Sequence, residues 1–418
     1  MRWKRVSAKY SLTTRLSNII LAVLVLSMLL FQTGYMVVKL ALILVLFAIN
    51  LFKGEYRPSR YSATILRILF VIIAYGFYCV ASAELNNTLT GSELLERMPI
   101  LLVYPFLYYM IIPNIMGDKV KNLCNILVVG HFAMVLITIY NIYAVFHGMN
   151  PIMLHEDETY AISEESMGVS SGTTYQILFT MPVFFVIGWS KMINKWVFLI
   201  GSILTISYVL ISGGSALMVI MLMCLLIPFI SKRLLGKENV YIVNLKKMIV
   251  PLLIIFSVVI VRLGEIEQLQ SFYTDFQEHF TNEDERYEQR QLFIKEWQEH
   301  PLFGGGYGKT FRTSVKGSSK AFESMYHLML ATTGIVGFGL FATYIFMIIK
   351  NLYKRIRRTR NPYYLGMLLG LISCVICNST NPLLASFDRL LSVYFCIACL
   401  AVRLPLVGGS VVTEKQEK

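Results

Sequence analysis

Apolar blocks of roughly 17–25 residues recur along the chain, each long enough as a helix to cross about 30 Å of hydrocarbon. This repetition constrains the fold more than any other feature. Inside lipid a backbone must satisfy its own hydrogen bonds, and a helix does so within a single segment. The blocks fall at residues 17–31, 35–52, 62–83, 98–116, 120–146, 173–190, 196–211, 214–231, 248–263, 324–349, 363–380 and 383–402. With 56% hydrophobic and 15% charged residues and a mean hydropathy of +0.61, the 418-residue chain lies outside the soluble range. A second block follows the first almost at once, with no small-residue cleavage site between them. The first therefore reads as a span and not as a signal peptide. The expected fold is an all-α polytopic membrane protein with about twelve transmembrane helices.

The basic residues orient it. With a cytoplasmic N-terminus, inside segments collect about 26 of the 38 Lys and Arg residues. They include Arg2, Lys4 and Arg5, the turn Lys53 to Arg60, Lys246 with Lys247, and the cluster Lys350 to Arg360. Outside segments take roughly 19 of the 25 acidic residues, which is the positive-inside pattern with both termini cytoplasmic. The net charge of +13 then follows from topology and attraction to anionic lipid, and calls for no nucleic acid partner. Of the cations within spans, Lys39 is expected to snorkel outward, Arg67 to sit near a cytoplasmic end, and Arg389 to pair with Asp388. His131 reads as a satisfied core residue. Trp189 and Trp196 flank a cytoplasmic turn as interfacial anchors.

The chain divides into nine spans over 1–263, an extracytoplasmic loop over 264–323, three spans over 324–402 and a cytoplasmic tail over 403–418. A shorter outside loop near 147–172 is acidic and contains no Lys or Arg; its Glu156-Asp157-Glu158 run reads as a solvated face. In the long loop, residues 283–300 read as a helix. Asn282 with Glu285 suits a capping box, acids crowd the first turn, and Pro301 ends it. Arg286, Arg290, Phe293 and Trp297 share one face, as in an amphipathic helix lying at the bilayer surface. The following glycines, among them Gly304 and Gly306, permit close approach and unusual backbone angles.

Two local patterns mislead. GGGYGKT ends like a phosphate-binding loop, but Phe303 stands where the first glycine is required, and the run follows a helix outside the cell. Cys374, Cys377, Cys396 and Cys399 match zinc-ribbon spacing, but each pair lies in an apolar span, where cysteines serve as small packing residues. No metal or other cofactor is expected.

The stretch from Arg286 to Gly337 contains Arg286, Trp297, His300-Pro301-Leu302, Gly304, Gly306 and then ESMYHLMLATTGIVG, ending with Gly334 and Gly337. In order and spacing it resembles the O-antigen ligase/polymerase family of bacterial membrane glycosyltransferases. Members carry an arginine- and aromatic-rich helix, an "hPl-G-G" turn, and a polar residue opening a span that ends near "GiiG". Two departures stand out. Ligase-type members place a histidine where this chain has Glu323, with His327 one helical turn later. The span that usually begins with an Arg-containing motif reads Ser212-Gly213-Gly214-Ser215 here.

The resemblance implies a metal-independent glycosyltransferase in the bacterial cytoplasmic membrane. It would polymerise undecaprenyl-diphosphate-linked oligosaccharide repeats into O-antigen, capsular or exopolysaccharide, with a chain-length regulator and a flippase as partners. Arg286 and Arg290, then Lys309 and Arg312, are the candidates to bind pyrophosphate, because a planar guanidinium grips phosphate bidentately and stays charged. Without the resemblance, pairing with Glu283, Glu285, Glu288 or lipid headgroups explains these cations better. Glu323 and His327 are the candidates to take the acceptor's proton; otherwise Glu323 holds an arginine and His327 is a packed histidine. His300 and Pro301 fix the turn. Ligation of finished glycan to lipid A–core is the alternative within the family. A transporter or flippase is the alternative outside it, since twelve spans with both termini inside is also a transporter layout.

Overall fold

The computed structural model describes residues 2–31, 35–53, 60–85, 120–152, 159–162, 167–170, 172–212, 215–236, 285–306, 324–379 and 391–402. These contain twelve helices. They are α1 (Arg2–Leu30), α2 (Met36–Lys53), α3 (Arg60–Leu85), α4 (Val120–Phe146), α5 (Gly172–Trp189) and α6 (Lys195–Ser212), then α7 (Ser215–Leu225), α8 (Ile227–Leu235), α9 (Glu285–Glu299), α10 (Met325–Thr359), α11 (Pro362–Cys377) and α12 (Leu391–Ala401). A hairpin of β1 (Thr159–Ile162) and β2 (Met167–Ser170) interrupts the helical pattern inside the acidic loop, pairing Thr159 with Ser170 and Ile162 with Met167. Its strands are too short for two-residue periodicity to stand out in a sequence.

Ten of the twelve apolar blocks fall on described helices, block 383–402 from residue 391 on; 98–116 and 248–263 lie outside the described residues. Val120–Val145 and Met325–Thr359 are each long and apolar enough to cross a membrane. Block 214–231 is a pair of helices, α7 and α8, bent by 46° where Pro228 enters the first turn of α8 and removes a backbone donor. Large apolar side chains face outward on the helices, as with Phe52 at 93% exposure and Val37 at 81%. That is the surface of a membrane protein, whose solvent is hydrocarbon.

Helix α5 is the centre. Ile177, Leu178, Phe179, Met181, Val183, Phe184, Val186 and Ile187 are all fully buried, because both α4 and α11 pack along it. Gly366 and Gly370 of α11 let the two backbones approach, for an added Cβ would reach Val183 at 3.3 Å and Phe179 at 2.7 Å. Such small-residue contacts replace the hydrophobic driving force that lipid cannot supply. Ser373 Oγ donates to the Leu178 carbonyl at 2.6 Å across the same seam. The four paired cysteines are buried free thiols in α11 and α12, packing as expected, with Cys396 Sγ on the Met367 carbonyl at 3.4 Å.

His131 is also a core residue. Its ring nitrogens meet Thr180 Oγ1 at 3.1 Å and Thr205 Oγ1 at 3.0 Å, and the ring stacks on Phe184 at 5.1 Å. Arg67 is exposed on α3, while Arg389 lies outside the described residues. Trp196 is exposed, whereas Trp189 packs edge-on against Phe198. Lys39 departs from expectation. It is fully buried, and its ammonium donates to the Phe31 carbonyl beyond the end of α1. An unpaired carbonyl at a helix C-terminus attracts a cation, so the side chain turns inward instead of snorkelling.

Arg355 shows the same principle inside the basic cluster. It is 5% exposed, donates to the carbonyls of Cys399 and Val402 at the end of α12, and lies 5.0 Å above the Tyr364 ring. Arg355→Ala strips both carbonyls of their donor. It is expected to cost about 3 kcal/mol of stability, since hydrogen bonds to charged groups contribute about 1.5–3 kcal/mol each and are only partly replaced. Arg357→Ala, at an exposed neighbour, should stay within about 0.5 kcal/mol. Thermal unfolding of the two variants in detergent makes the comparison.

Candidate active site

The long loop contributes α9, which ends as the sequence suggests. The His300 amide still reaches back to the Glu296 carbonyl at 3.1 Å, but Pro301 has no donor to continue. Trp297 Nε1 donates to the Pro301 carbonyl at 3.1 Å, and the Gly304 amide donates to the His300 carbonyl at 2.9 Å. The backbone of His300 thus forms the turn while its ring stays exposed. The buried face of α9 differs from the expected one. It is centred on Gln289, Phe293 and Glu296, with Phe293 against Ala331 and Leu328 of α10. Arg290 and Trp297 flank this face, half-buried. The helix therefore turns its buried face to α10, because a protein partner satisfies polar neighbours that a purely lipid-facing stripe would leave uncovered.

The turn after α9 inserts into a break in α10. Gly334 has φ 63° and ψ −173° in the middle of that helix, so GIVG marks an interruption and not the end of a span. Two successive i→i+4 bonds of a regular helix are replaced. The carbonyls of Ala331 and Thr332 accept from the Gly305 and Gly306 amides at 2.8 and 3.0 Å. The amides of Ile335 and Val336 donate to the Pro301 and Leu302 carbonyls at 3.0 and 3.2 Å. Every backbone group freed by these openings finds a partner, which an apolar surrounding demands because an unsatisfied group there costs several kcal/mol.

The glycines make the joint possible. A Cβ on Gly304, whose φ is +74°, would lie 2.4 Å from backbone atoms of Thr332 and Thr333; one on Gly334 would lie 2.3 Å from the Leu302 carbonyl oxygen. From α3, the Tyr75 hydroxyl donates to the Thr333 carbonyl at 2.6 Å and stands 3.3 Å from the Phe303 carbonyl. It thereby stands between a carbonyl of the broken helix and a carbonyl of the inserted turn. An added Cβ at Gly337 would meet Tyr75 Cε1 at 2.5 Å, which explains the second glycine of the motif.

Above the joint, α9 and the first turn of α10 bring two candidate residues together. Phe293 packs on Leu328 and Ala331 of α10. Arg290, three residues before Phe293, and His327, next to Leu328, therefore stand on facing helices, and both side chains are half-buried. Ser324 occupies the N-cap position of α10 without capping it; its hydroxyl instead bonds His327 Nδ1 at 2.7 Å. Among the described residues Nε2 has no hydrogen-bond partner. A ring fixed through one nitrogen and open at the other can take up or deliver a proton there. A guanidinium alongside can hold an anionic leaving group.

Arg286 begins the same helix one turn before Arg290; Lys309, Arg312 and Glu323 lie outside the described residues. Among the described residues no cluster of three or more His, Cys, Asp or Glu side chains could hold a metal ion. Ser324 and Tyr75 escaped sequence reasoning. Ser324 sits beside a singled-out glutamate and has no motif of its own, and Tyr75 is one aromatic residue among many in an apolar span.

Comparison with known families bears out the resemblance. Residues 167–342 match the family model described as O-Antigen ligase, less than half of the chain. The match runs from β2 into α10 and encloses α9, the turn and the break; it excludes α3 and hence Tyr75. No curated protein matches the chain.

Proposed function

We propose, from the O-antigen-ligase-like domain at residues 167–342, that this membrane enzyme polymerises lipid-diphosphate-linked oligosaccharides on the outer face of the bacterial cytoplasmic membrane. The observation that carries the reading is the packing of α9 on α10 through Phe293, Leu328 and Ala331, which sets Arg290 and His327 on the two facing helices within the matched segment. In the reaction, an acceptor sugar hydroxyl attacks the anomeric carbon of a donor sugar. The bond from that carbon to the diphosphate oxygen breaks, the electron pair stays on the diphosphate, and the hydroxyl proton passes to a base. Arg290, with Arg286 on the same helix, neutralises the growing charge on the diphosphate. His327 Nε2 receives the proton, with the Glu323 carboxylate assisting as the second base. Energy comes from the phosphoanhydride-activated donor, so neither nucleotide nor metal takes part.

Glu323, where ligase-type members have histidine, favours polymerisation over ligation to lipid A–core. The topology proposed with this function is twelve spans with both termini inside, and the chain-length regulator and flippase are proposed partners. The test is incubation of the purified protein in detergent with its lipid-diphosphate-linked repeat unit, without nucleotide or added metal. A ladder of products is expected on a gel, collapsing in Arg290→Ala and Glu323→Ala. A single transferred glycan on a second acceptor would favour ligation, and no product from folded protein would overturn the enzyme reading.

A further inference from the structure

We infer that Tyr75 is a positioning residue for this reaction: its hydroxyl locks the broken helix and the glycine turn into one unit, and so holds Arg290 of α9 beside His327 of α10. This inference rests on the proposed function for its catalytic consequence, but not for its structural one.

The argument starts from what the break leaves exposed. Opening α10 at Gly334 frees carbonyls on one side and amides on the other, and the turn 301–306 supplies partners through its own backbone. That arrangement is a peptide laid against a peptide, and it could slide or detach as a unit. The Tyr75 hydroxyl is the contact that comes from a third element. It donates to the Thr333 carbonyl of α10 beside the break, with the turn's Phe303 carbonyl also in range. The bordering positions make room for it. Gly337 carries no side chain where the Tyr75 ring lies, and a Cβ added on Gly306, at φ +93°, would lie only 3.0 Å from Ala83 Cβ, two turns further along α3. The Tyr78 ring meets Phe303 edge-on at 5.8 Å. Three points on α3 thus fix the turn, and the Tyr75 hydroxyl is the one that reaches both α10 and the turn.

Arg290 and His327 lie on opposite sides of this unit in sequence: α9 leads into the turn, and the first turns of α10 lead into the break. Their mutual placement depends on the joint staying closed. A displacement of about 1 Å at a reacting centre can cost a hundredfold in rate. An interaction that orients groups in the transition state lowers kcat when lost, whereas one that only binds substrate raises KM.

Tyr75→Phe removes the hydroxyl and keeps the ring. Two measurements on the full-length protein in detergent test it: amide hydrogen exchange over residues 287–306 and 325–337, and polymerisation kinetics with the lipid-diphosphate-linked repeat unit. The expected result is faster exchange confined to those two segments, with kcat reduced at least tenfold and KM for the donor within twofold of the parent. Unchanged exchange in both segments would overturn the lock. Faster exchange with unchanged kcat would overturn the positioning role and leave Tyr75 as scaffolding. A parent protein that makes no product would instead overturn the proposed function, and the exchange arm would still decide the lock. Should Tyr75→Phe fail to fold, Gly337→Ala, which pushes on the Tyr75 ring, gives the same two readouts.

Discussion

Alanine at Gly334 is expected to dismantle the joint and abolish product formation. Two costs combine. The residue has φ +63°, a left-handed region that costs an L-residue about 1–2 kcal/mol. Its new Cβ would also sit 2.3 Å from the Leu302 carbonyl oxygen and 2.5 Å from the Phe303 amide nitrogen. Those are backbone atoms, themselves tied to Val336 and to the turn, so they cannot rotate aside. Overpacking of this kind adds about 1–3 kcal/mol. Once the turn is pushed out, the amides and carbonyls around the break lose their partners together. A total near 4 kcal/mol follows from these ranges. It should appear as a lower melting temperature in detergent and as loss of protease resistance at the 300–306 turn. Gly339→Ala is the control: it is on the same helix, with nothing within 4 Å of its added Cβ. Alanine there should be neutral or stabilising by up to about 1 kcal/mol, the helix-propensity difference. Equal damage from both substitutions would contradict the joint and point to general intolerance of the helix.

Replacing His327 should separate catalysis from folding. His327→Gln retains a polar, hydrogen-bonding side chain at a half-buried position while removing the proton acceptor. Loss of a positioned general base typically lowers rate by about 10²–10⁴-fold. The predicted result is a fall of that size in kcat, little change in KM for the lipid-linked donor, and a melting temperature near that of the parent. Ser324→Ala should give a smaller loss, because it leaves the imidazole but frees its Nδ1 from the 2.7 Å hydrogen bond. Combined, the two variants should be no worse than His327→Gln alone, since the serine acts through the ring. Additive losses would show that Ser324 contacts the substrate independently. Full activity in His327→Gln would remove the histidine from the reaction and leave Glu323 as the base.

The sequence by itself determined the medium of this protein and most of its helices. Apolar block length is set by lipid thickness, so ten of the twelve blocks fall on described helices. The first helix nevertheless begins fifteen residues before its block, at Arg2, and α10 runs ten residues past its block, to Thr359. The end of α9 was equally legible, since Pro301 acts through local backbone chemistry. The motif residues from Arg286 to Gly337 were also readable, and they lie inside the family match. What those glycines do was not readable. GIVG marks a break filled by a turn nearly thirty residues earlier in the chain, and no local rule distinguishes a helix-ending glycine from one that admits another backbone. The burial face of α9 likewise depended on which helix covered it. Lys39 and Arg355 turned inward because of carbonyls that other segments brought near. Tyr75 lies more than two hundred residues from the backbone it bridges. Local composition records the solvent and the secondary structure, whereas a hydrogen bond between distant segments exists only after the fold has placed them together.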